Sequence, residues 1–314
     1  MTSHLTLSIA YWLSRLWPQI PDVNDTTDCY FFGSERAKRA STQQLREWQV
    51  SSAGWRYNYE ISYRTLDYTF GASVEQYLRN KVVLDFGCGM GGAAAAWAEL
   101  YRLRHIHGFE AEHALAHGAR LFAGSKSVRA HFTAASGEDL PYRDNSFDAV
   151  ISLDVFEHVR SIDRCLSECR RVLRSGGVLL AIFPPYFNPL GHHLKTTRTP
   201  ALHWLFSGET LRKLQNRRLS ELGPDFAYLS VPSIDACHAP YLNGITVRRW
   251  KRLIEAEGWR IIVDRRRGLP SFGRVARHPV FRMISAFTTP LSRMRWFEEI
   301  ALDHVAMIIQ KAER

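Results

Sequence analysis

From about residue 80 onward, short apolar runs alternate with longer segments in which apolar residues recur every three or four positions. Short runs bounded by polar residues or glycine are typical of buried strands, and the longer spacing is typical of helices with one apolar face. The pattern predicts strands at Val82–Phe86, His105–Phe109, Val128–Thr133, Phe147–Ser152, Val178–Phe183, Trp259–Val263 and Val305–Gln310. It predicts intervening helices at Ala93–Tyr101, Glu112–Phe122 and Ile162–Leu173, the last capped by Ser161 and stopping at Gly176-Gly177. Such alternation indicates a doubly wound α/β sheet of seven strands.

Three segments fall outside this pattern. Residues 1–70 predict a helical N-terminal cap with a loop around residues 18–27, and residues 71–314 form the main domain. The stretches at about 184–245 and 268–300 are too long for plain connections, so we interpret them as lids. Residues 5–17 are apolar but lack a basic leader and a cleavage site, which favours a buried or surface-lying amphipathic helix over a signal peptide.

A glycine-dense turn follows the first predicted strand, in the sequence VVLDFGCGMGG (residues 82–92). Glycines allow positive φ and let a ligand lie directly against the backbone, while the next helix offers free N–H groups. Glu110 closes the second strand, where a carboxylate can accept hydrogen bonds from both hydroxyls of a ribose. The spacing of Gly87, Gly89 and Gly92 also fits the G-x-G-x-x-G of dinucleotide-binding domains, so the turn alone leaves an NAD site open. Asp85 argues against NAD, because dinucleotide folds usually keep an apolar residue at this position.

Further motifs follow the glycine turn in order. They are SGEDLPY (136–142) with NSFDAV (145–150), LDVFEHV (153–159) and RVLRSGG (171–177). Together the motifs resemble the class I S-adenosylmethionine-dependent methyltransferases, in particular the small-molecule branch that includes enzymes of ubiquinone biosynthesis. The resemblance implies a Rossmann-like sheet with strands one to five parallel and the last strand antiparallel. It also implies S-adenosylmethionine as cofactor, and O- or N-methylation of a small-molecule acceptor in a biosynthetic pathway.

Carried over position by position, the resemblance implies a cofactor site spread over several loops. The glycine turn would lie under the methionine and ribose, Glu110 would bind the ribose, and other positions would flank the adenine or the sulfonium. The implied cofactor-binding residues are Asp85, Phe86, Gly87, Cys88, Gly89, Glu110, Ala111, Gly137, Glu138, Leu153 and Val155. Ser136-Gly137 replaces the commoner Asp-Ala, which leaves the adenine hydrogen bond open. Relatives often bring a helix over the cofactor, where Arg56 or Arg64 could pair with the cofactor's carboxylate; a surface position on a cap helix is the alternative.

The segment after the fourth predicted strand carries the candidate base. Methyl transfer from a sulfonium is an in-line displacement, so the protein supplies alignment and, for an O–H acceptor, a base. Asp154, Glu157 and His158 would share one face if a helix began there. In the ubiquinone-biosynthesis O-methyltransferases a similar acid-x-x-Glu-His holds a divalent cation. Metal binding is therefore an open alternative, although no metal is expected, and a structural role for His158 is also open.

A second candidate group follows the fifth predicted strand. Its Pro-Pro-Tyr at 184–186 is superficially like the (N/D)PPY of nucleic-acid amino-methyltransferases, but that motif belongs after the fourth strand and is discounted. Tyr186, His192 and His193 are interpreted as acceptor contacts, with a proline-rigidified lid whose histidines face water as the alternative. The candidate catalytic residues are thus His158, Glu157, Asp154, His192, His193 and Tyr186.

Charge and cysteine content bear on partners. Lys and Arg number 41 against 31 Asp and Glu, and arginines crowd residues 265–295. A solvated basic face is the simplest interpretation; a methyltransferase acting on RNA or another large anionic acceptor is the alternative, although no RNA-binding motif or catalytic cysteine supports it. A catalytically silent binding module is a third interpretation, which the intact glycine turn opposes.

The five cysteines lack metal-ligand pairing, and Cys165 and Cys169 fall on a helix's apolar face. We therefore expect a cytoplasmic protein without a membrane span, and leave homodimer formation open.

Overall fold

The computed structural model describes most of the chain. The described residues are 4–21, 40–126, 128–224, 226, 230–231, 233–234, 241–269 and 278–312. Parts of the predicted loop at 18–27 and lid at 268–300, together with Cys29, Cys237, Arg274 and Arg277, lie outside them.

A seven-stranded sheet forms the centre of the molecule, with the strand order β3-β2-β1-β4-β5-β7-β6. The strands are β1 Val82–Phe86, β2 His105–Glu110, β3 Ala130–Ala134, β4 Phe147–Leu153, β5 Leu173–Phe183, β6 Trp259–Gly268 and β7 Leu302–Lys311. Strands β1 to β5 are mutually parallel, and β7 is antiparallel to both β5 and β6. The predicted doubly wound sheet with an antiparallel last strand is confirmed. Because β6 runs in the same direction as β1 to β5, its end at Gly268 lies at their carboxyl edge, where ligands bind in such sheets.

Helices precede, connect and extend the strands. They are α1 His4–Ser14, α2 Thr42–Tyr63, α3 Thr65–Phe70, α4 Glu75–Leu78, α5 Gly92–Leu100, α6 His113–Lys126, α7 Ile162–Val172, α8 Leu202–Leu205, α9 Gly208–Leu222, α10 Val247–Ala256 and α11 Pro279–Leu291, with a 3₁₀ turn at Ala72–Val74. Among the described residues, no helix combines the length and apolarity that crossing a bilayer requires.

The end of α7 differs from the prediction. Ser161 is the N-cap as expected, but its hydroxyl donates to Asp163 Oδ1 and makes no capping bond to the backbone. The helix stops at Val172, before the predicted Gly176-Gly177, because Leu173 already pairs with Phe147 as the start of β5. The glycines therefore lie inside an irregular part of β5.

Two apolar layers cover the sheet, because successive strand residues point to opposite faces. On one face, Leu84 and Phe86 pack in a cluster with Phe156 and the buried Cys165 and Cys169 of α7, as predicted for those cysteines. On the other face, Val83 packs in a cluster with residues of α3 and α5. Both layers extend to the carboxyl edge of the sheet, where the glycine turn begins.

The two N-terminal helices α1 and α2 pack on different parts of the molecule. Helix α1 packs on α9 through Ala10, Tyr11, Leu211 and Leu214, and a bridge joins Pro18 to Thr197. Helix α2 instead packs on α5 and α6, beside the glycine turn.

Candidate functional site

The glycine turn between β1 and α5 combines close packing with open space. Gly87, Gly89 and Gly91 have φ values of +80°, +51° and +74°. A Cβ at Gly91 would lie 2.9 Å from Cβ of Ala119, so that glycine serves packing, whereas a Cβ at Gly89 would meet no atom within 4 Å. The described chain therefore leaves room for a ligand directly against the backbone of Gly89.

Glu110 ties the end of β2 to this turn. Its carboxylate accepts hydrogen bonds from the N–H groups of Gly89 (3.0 Å) and Ala111 (2.8 Å). Burial raises the pKa of Glu110, and the backbone N–H groups oppose that shift. The carboxylate thus lies beside the open space over Gly89, with lone pairs left to accept bonds from a ribose.

Asp85 is a second buried carboxyl at the turn. Its Oδ2 has no hydrogen-bond partner among the described residues, and burial raises the pKa of Asp85 to about 8, against the opposing charge of Arg56. An unpartnered polar atom in the interior is costly unless a ligand completes it. Asp85 therefore fits a site that a polar ligand fills.

Helix α2 lies over the start of α5, as the sequence suggested for a cap helix. A Cβ at Gly92 would lie 2.1 Å from the Ala53 carbonyl oxygen, so only glycine permits this approach. Arg56 pairs with the buried Glu60 at 2.8 Å, and Trp97 Nε1 donates to the other Glu60 oxygen. This network fixes a guanidinium close to the glycine turn.

The remaining predicted cofactor positions surround the turn with apolar contacts. A Cβ on Gly87 would lie 2.5 Å from Val155 Cγ2, and one on Gly137 would lie 2.6 Å from Phe86 Cζ. Val155 and Leu153 are half-buried, so they can form an apolar wall. The Glu138 carboxylate accepts from the Ser161 N–H (2.8 Å), which stabilises the start of α7.

Cys88 is buried in the turn. Burial raises the pKa of its thiol well above the ordinary value, so the neutral thiol is favoured. This agrees with a small turn residue and opposes a nucleophile.

An acid–histidine cluster lies next to the turn, two residues beyond Val155. Glu157 is buried, and its Oε1 is 3.7 Å from Nε2 of both His158 and His193. His158 Nδ1 lies 2.8 Å from the Tyr241 carbonyl oxygen, so Nδ1 carries the proton of the bond and the neutral ring has its lone pair on Nε2. Burial raises the pKa of Glu157 well above its ordinary value and lowers the pKa of His193 well below its ordinary value.

Asp154 does not share a helix face with the other two, and that expectation is wrong. Residues 156–158 form a turn, and Asp154, which precedes it, has φ +57°. Its Oδ1 is instead 3.5 Å from Nε2 of His304, whose Nδ1 is 3.6 Å from Asp303 Oδ2. Although burial opposes it, these carboxylates raise the pKa of His304 to about 10. His304, which the sequence reasoning missed, is therefore a cation at neutral pH.

The cluster also has the composition of a metal site. Ligand atoms of Glu157, His158 and His193 lie within 4.8 Å of one another. Such a carboxylate and imidazole set can bind a transition metal. Its third member is His193 from the segment after β5, not the predicted Asp154.

Two candidate catalytic residues from the segment after β5 form hydrogen bonds within that segment. His192 is buried, with Nε2 donating to the Thr199 carbonyl (3.0 Å) and Nδ1 accepting from Leu194 N–H (3.1 Å). Tyr186 donates its hydroxyl to the His203 carbonyl at 2.9 Å. Both ring nitrogens of His192 are occupied, so we leave it and Tyr186 out of the reactive group.

The three arginines of β6 are bonded to other parts of the protein, so they do not belong to a purely solvated basic face. Arg266 is mostly buried and pairs with Glu298 and Asp264, Arg265 donates to the Phe70 carbonyl, and Arg267 donates to a carbonyl of α3. A cavity of about 550 Å³ lies among these side chains of β6 and is also lined by Thr69, Gly71 and Arg293. The three arginines therefore mainly connect β6 to α3 and to the segment that contains Glu298.

Comparison with known proteins identifies the central region. A methyltransferase-domain family matches residues 84–181, which include the glycine turn, Glu110 and the acid–histidine turn. Residues 84–181 are thus similar to a methyltransferase domain. The cofactor of this family is S-adenosylmethionine, which agrees with the glycine turn and Glu110.

The methyltransferase domain is similar to several curated proteins. A malonyl-[acyl-carrier protein] O-methyltransferase of Geobacter sulfurreducens is 33% identical over 121 residues, covering 38% of this chain and 44% of that protein. A sterol 24-C-methyltransferase of Gibberella zeae is 26% identical over 160 residues, covering 46% and 42%. The crystal structure of the YcgJ protein from Bacillus subtilis aligns with a TM-score of 0.45 at 19% identity, covering 78% of this chain and 98% of that one. The chain spans less than half the length of these two curated relatives.

Proposed function

We propose that this protein transfers a methyl group from S-adenosylmethionine to a small-molecule acceptor. The observation that carries the proposal is the Glu110 carboxylate bound to the Gly89 N–H beside open space. A ribose diol placed there meets a charged acceptor, and the backbone approaches the ligand without a side chain between them.

The fit of the cofactor rests on Glu110 and two further groups. Glu110 would accept the ribose hydroxyls, Arg56 would face the cofactor's carboxylate, and the unpartnered Asp85 Oδ2 would gain a polar partner. When bound, S-adenosylmethionine supplies an electrophilic methyl group on a sulfonium. Leu153 and Val155 would exclude water from the reacting side.

The acid–histidine cluster would handle the acceptor's proton. His158 presents its Nε2 lone pair and is held in that tautomer by the Tyr241 carbonyl, so it is the proposed base for an O–H or N–H acceptor. Glu157 and His193 lie next to that nitrogen and can share the proton. The charged His304 holds Asp154 in place at the end of β4.

The domain organisation is proposed as follows. Residues 1–70 act as a cap, and the segments at about 184–245 and 268–300 act as lids around the acceptor. The contact of α2 with the glycine turn supports the cap, and His193 in the cluster supports the first lid. The free, buried Cys88, Cys165 and Cys169 support a reducing, cytoplasmic setting.

One labelling experiment separates the candidate functions. Purified protein is incubated with S-adenosylmethionine carrying a labelled methyl group, in the presence of a nuclease-treated small-molecule extract or of total RNA. We expect label in the small-molecule fraction, and much less label when Glu110 is replaced by Gln at a cofactor concentration below saturation. Label in RNA would contradict the proposal, and cofactor binding without any transfer would favour a silent binding module.

A further inference from the structure

Helix α11 turns its polar side inward and its apolar side outward. Ser285 Oγ donates to the Gly268 carbonyl (2.9 Å), and Thr288 Oγ1 donates to the Leu269 carbonyl (2.8 Å). Gly268 N–H in turn donates to Thr289 Oγ1 at 2.8 Å. Hydroxyl groups therefore hold this helix on the end of β6, whereas a helix on a water-exposed surface normally buries its apolar stripe.

The opposite side of α11 is an exposed apolar stripe. Val280, Met283, Ile284 and Phe287 recur with helical spacing, and Met283 and Phe287 are each 74% exposed. The turns that follow add Trp296, which is 86% exposed. Met294, Phe297 and Ile300 are exposed as well. A contiguous set of this kind marks an interaction surface.

The unpaired charge on this segment is positive. Arg282, Arg293 and Arg295 are exposed, and none forms an ion pair with another described residue. The only acids between residues 278 and 300 are Glu298 and Glu299. Both face inward: Glu298 pairs with Arg248 and Arg266, and Glu299 accepts from the backbone N–H of Val247 at 2.9 Å.

The segment also lies on the reactive side of the molecule. Strand β6 ends at Gly268 at the carboxyl edge of the sheet, and α11 is bound to that end. Helix α1 exposes a second apolar stripe, formed by Leu5, Ile9 and Trp12, and it packs on the segment inserted after β5 at the same edge. Exposed apolar surface is therefore present on two segments near the acceptor side, helix α1 and residues 279–300.

We propose that residues 279–300 dock on the surface of an anionic phospholipid bilayer. An apolar stripe flanked by arginines, with an exposed tryptophan, is the composition that lies at the boundary of headgroups and acyl chains. A second copy fits less well, because a twofold contact would bring the arginine sets of both copies together. Docking would place the reactive edge against the bilayer, and it does not depend on the proposed reaction.

Vesicle sedimentation tests the proposal. The full chain is mixed with vesicles of phosphatidylcholine alone or of phosphatidylcholine with phosphatidylglycerol. We expect binding to the anionic vesicles, weaker binding without phosphatidylglycerol, and weakening by added salt. Absence of binding to the anionic vesicles would overturn the proposal.

Variants on the exposed side locate the surface without touching the hydroxyl contacts. Phe287→Ser with Trp296→Ser should reduce partitioning about tenfold or more. Replacing Arg282, Arg293 and Arg295 by Gln should reduce it about fivefold for each arginine. Val50→Ser, at an exposed position of α2, is the matched control and should bind as wild type, with thermal unfolding checking that each variant folds. Equal losses in the control, or a dimer that the Phe287–Trp296 variant dissociates without any vesicle binding, would contradict the proposal.

Discussion

Gly89→Ala separates the binding role of the glycine turn from its folding role. The position has φ +51°, so an alanine there costs about 1–2 kcal/mol of backbone strain. Its new Cβ meets no atom within 4 Å, so no packing cost adds to that strain. We expect the melting temperature to fall by only a few degrees. The methyl group would occupy the space over the backbone, and we expect S-adenosylmethionine to bind about 10–100-fold more weakly.

Gly91→Ala is the matched control. The backbone strain is similar at φ +74°, but the new Cβ would lie 2.9 Å from Ala119 Cβ and 3.0 Å from Phe132. Overpacking of this kind costs about 1–3 kcal/mol more, so Gly91→Ala should lower stability further than Gly89→Ala. Calorimetric titration and thermal unfolding measure both effects. If folded Gly89→Ala binds the cofactor as wild type does, the open space over Gly89 is not the cofactor site.

Three further predictions concern single side chains. Glu110→Gln should weaken S-adenosylmethionine binding by about 1.5–3 kcal/mol in a titration, whereas the neighbouring Glu112→Gln should not; equal effects would argue against a specific ribose contact. His158→Ala should lower turnover by about 10²–10⁴-fold with cofactor affinity unchanged, and wild-type turnover in the folded variant would refute its role as base. Loss of activity with chelator and recovery with a divalent ion would assign His158 to a metal instead. Because the pKa of His304 is raised from 6.5 to about 10, its stabilising contribution is complete below the lower value and is lost as pH rises through the upper one. The difference in unfolding free energy between wild type and His304→Gln should therefore shrink over that range, and a constant difference would contradict the assignment.

The fold follows from the sequence where the signals are local. The prediction for β1, Val82–Phe86, matches the structure because an apolar run ends at a glycine. The sequence pattern ended β6 at Val263, but the strand continues to Gly268 through three arginines. Polar residues are common in an edge strand such as β6, and its pairing with β7 is a contact that local periodicity does not contain.

Part of the candidate site also follows from local sequence signals, and the rest depends on tertiary contacts. Glu110 and the glycines were predicted because a βα turn and the end of the next strand have a fixed spacing. His304 carries no motif, and it reaches Asp154 only because β7 inserts antiparallel beside β5. The contact between His193 and Glu157 likewise depends on how a long insertion folds back, which spacing does not encode.

Calorimetric titration of the purified chain with S-adenosylmethionine, S-adenosylhomocysteine and NAD tests the central claim most directly. The carboxylate of Glu110 beside the open Gly89 backbone predicts that both adenosyl compounds bind and that NAD does not. Binding of NAD with no binding of either adenosyl compound would contradict the account.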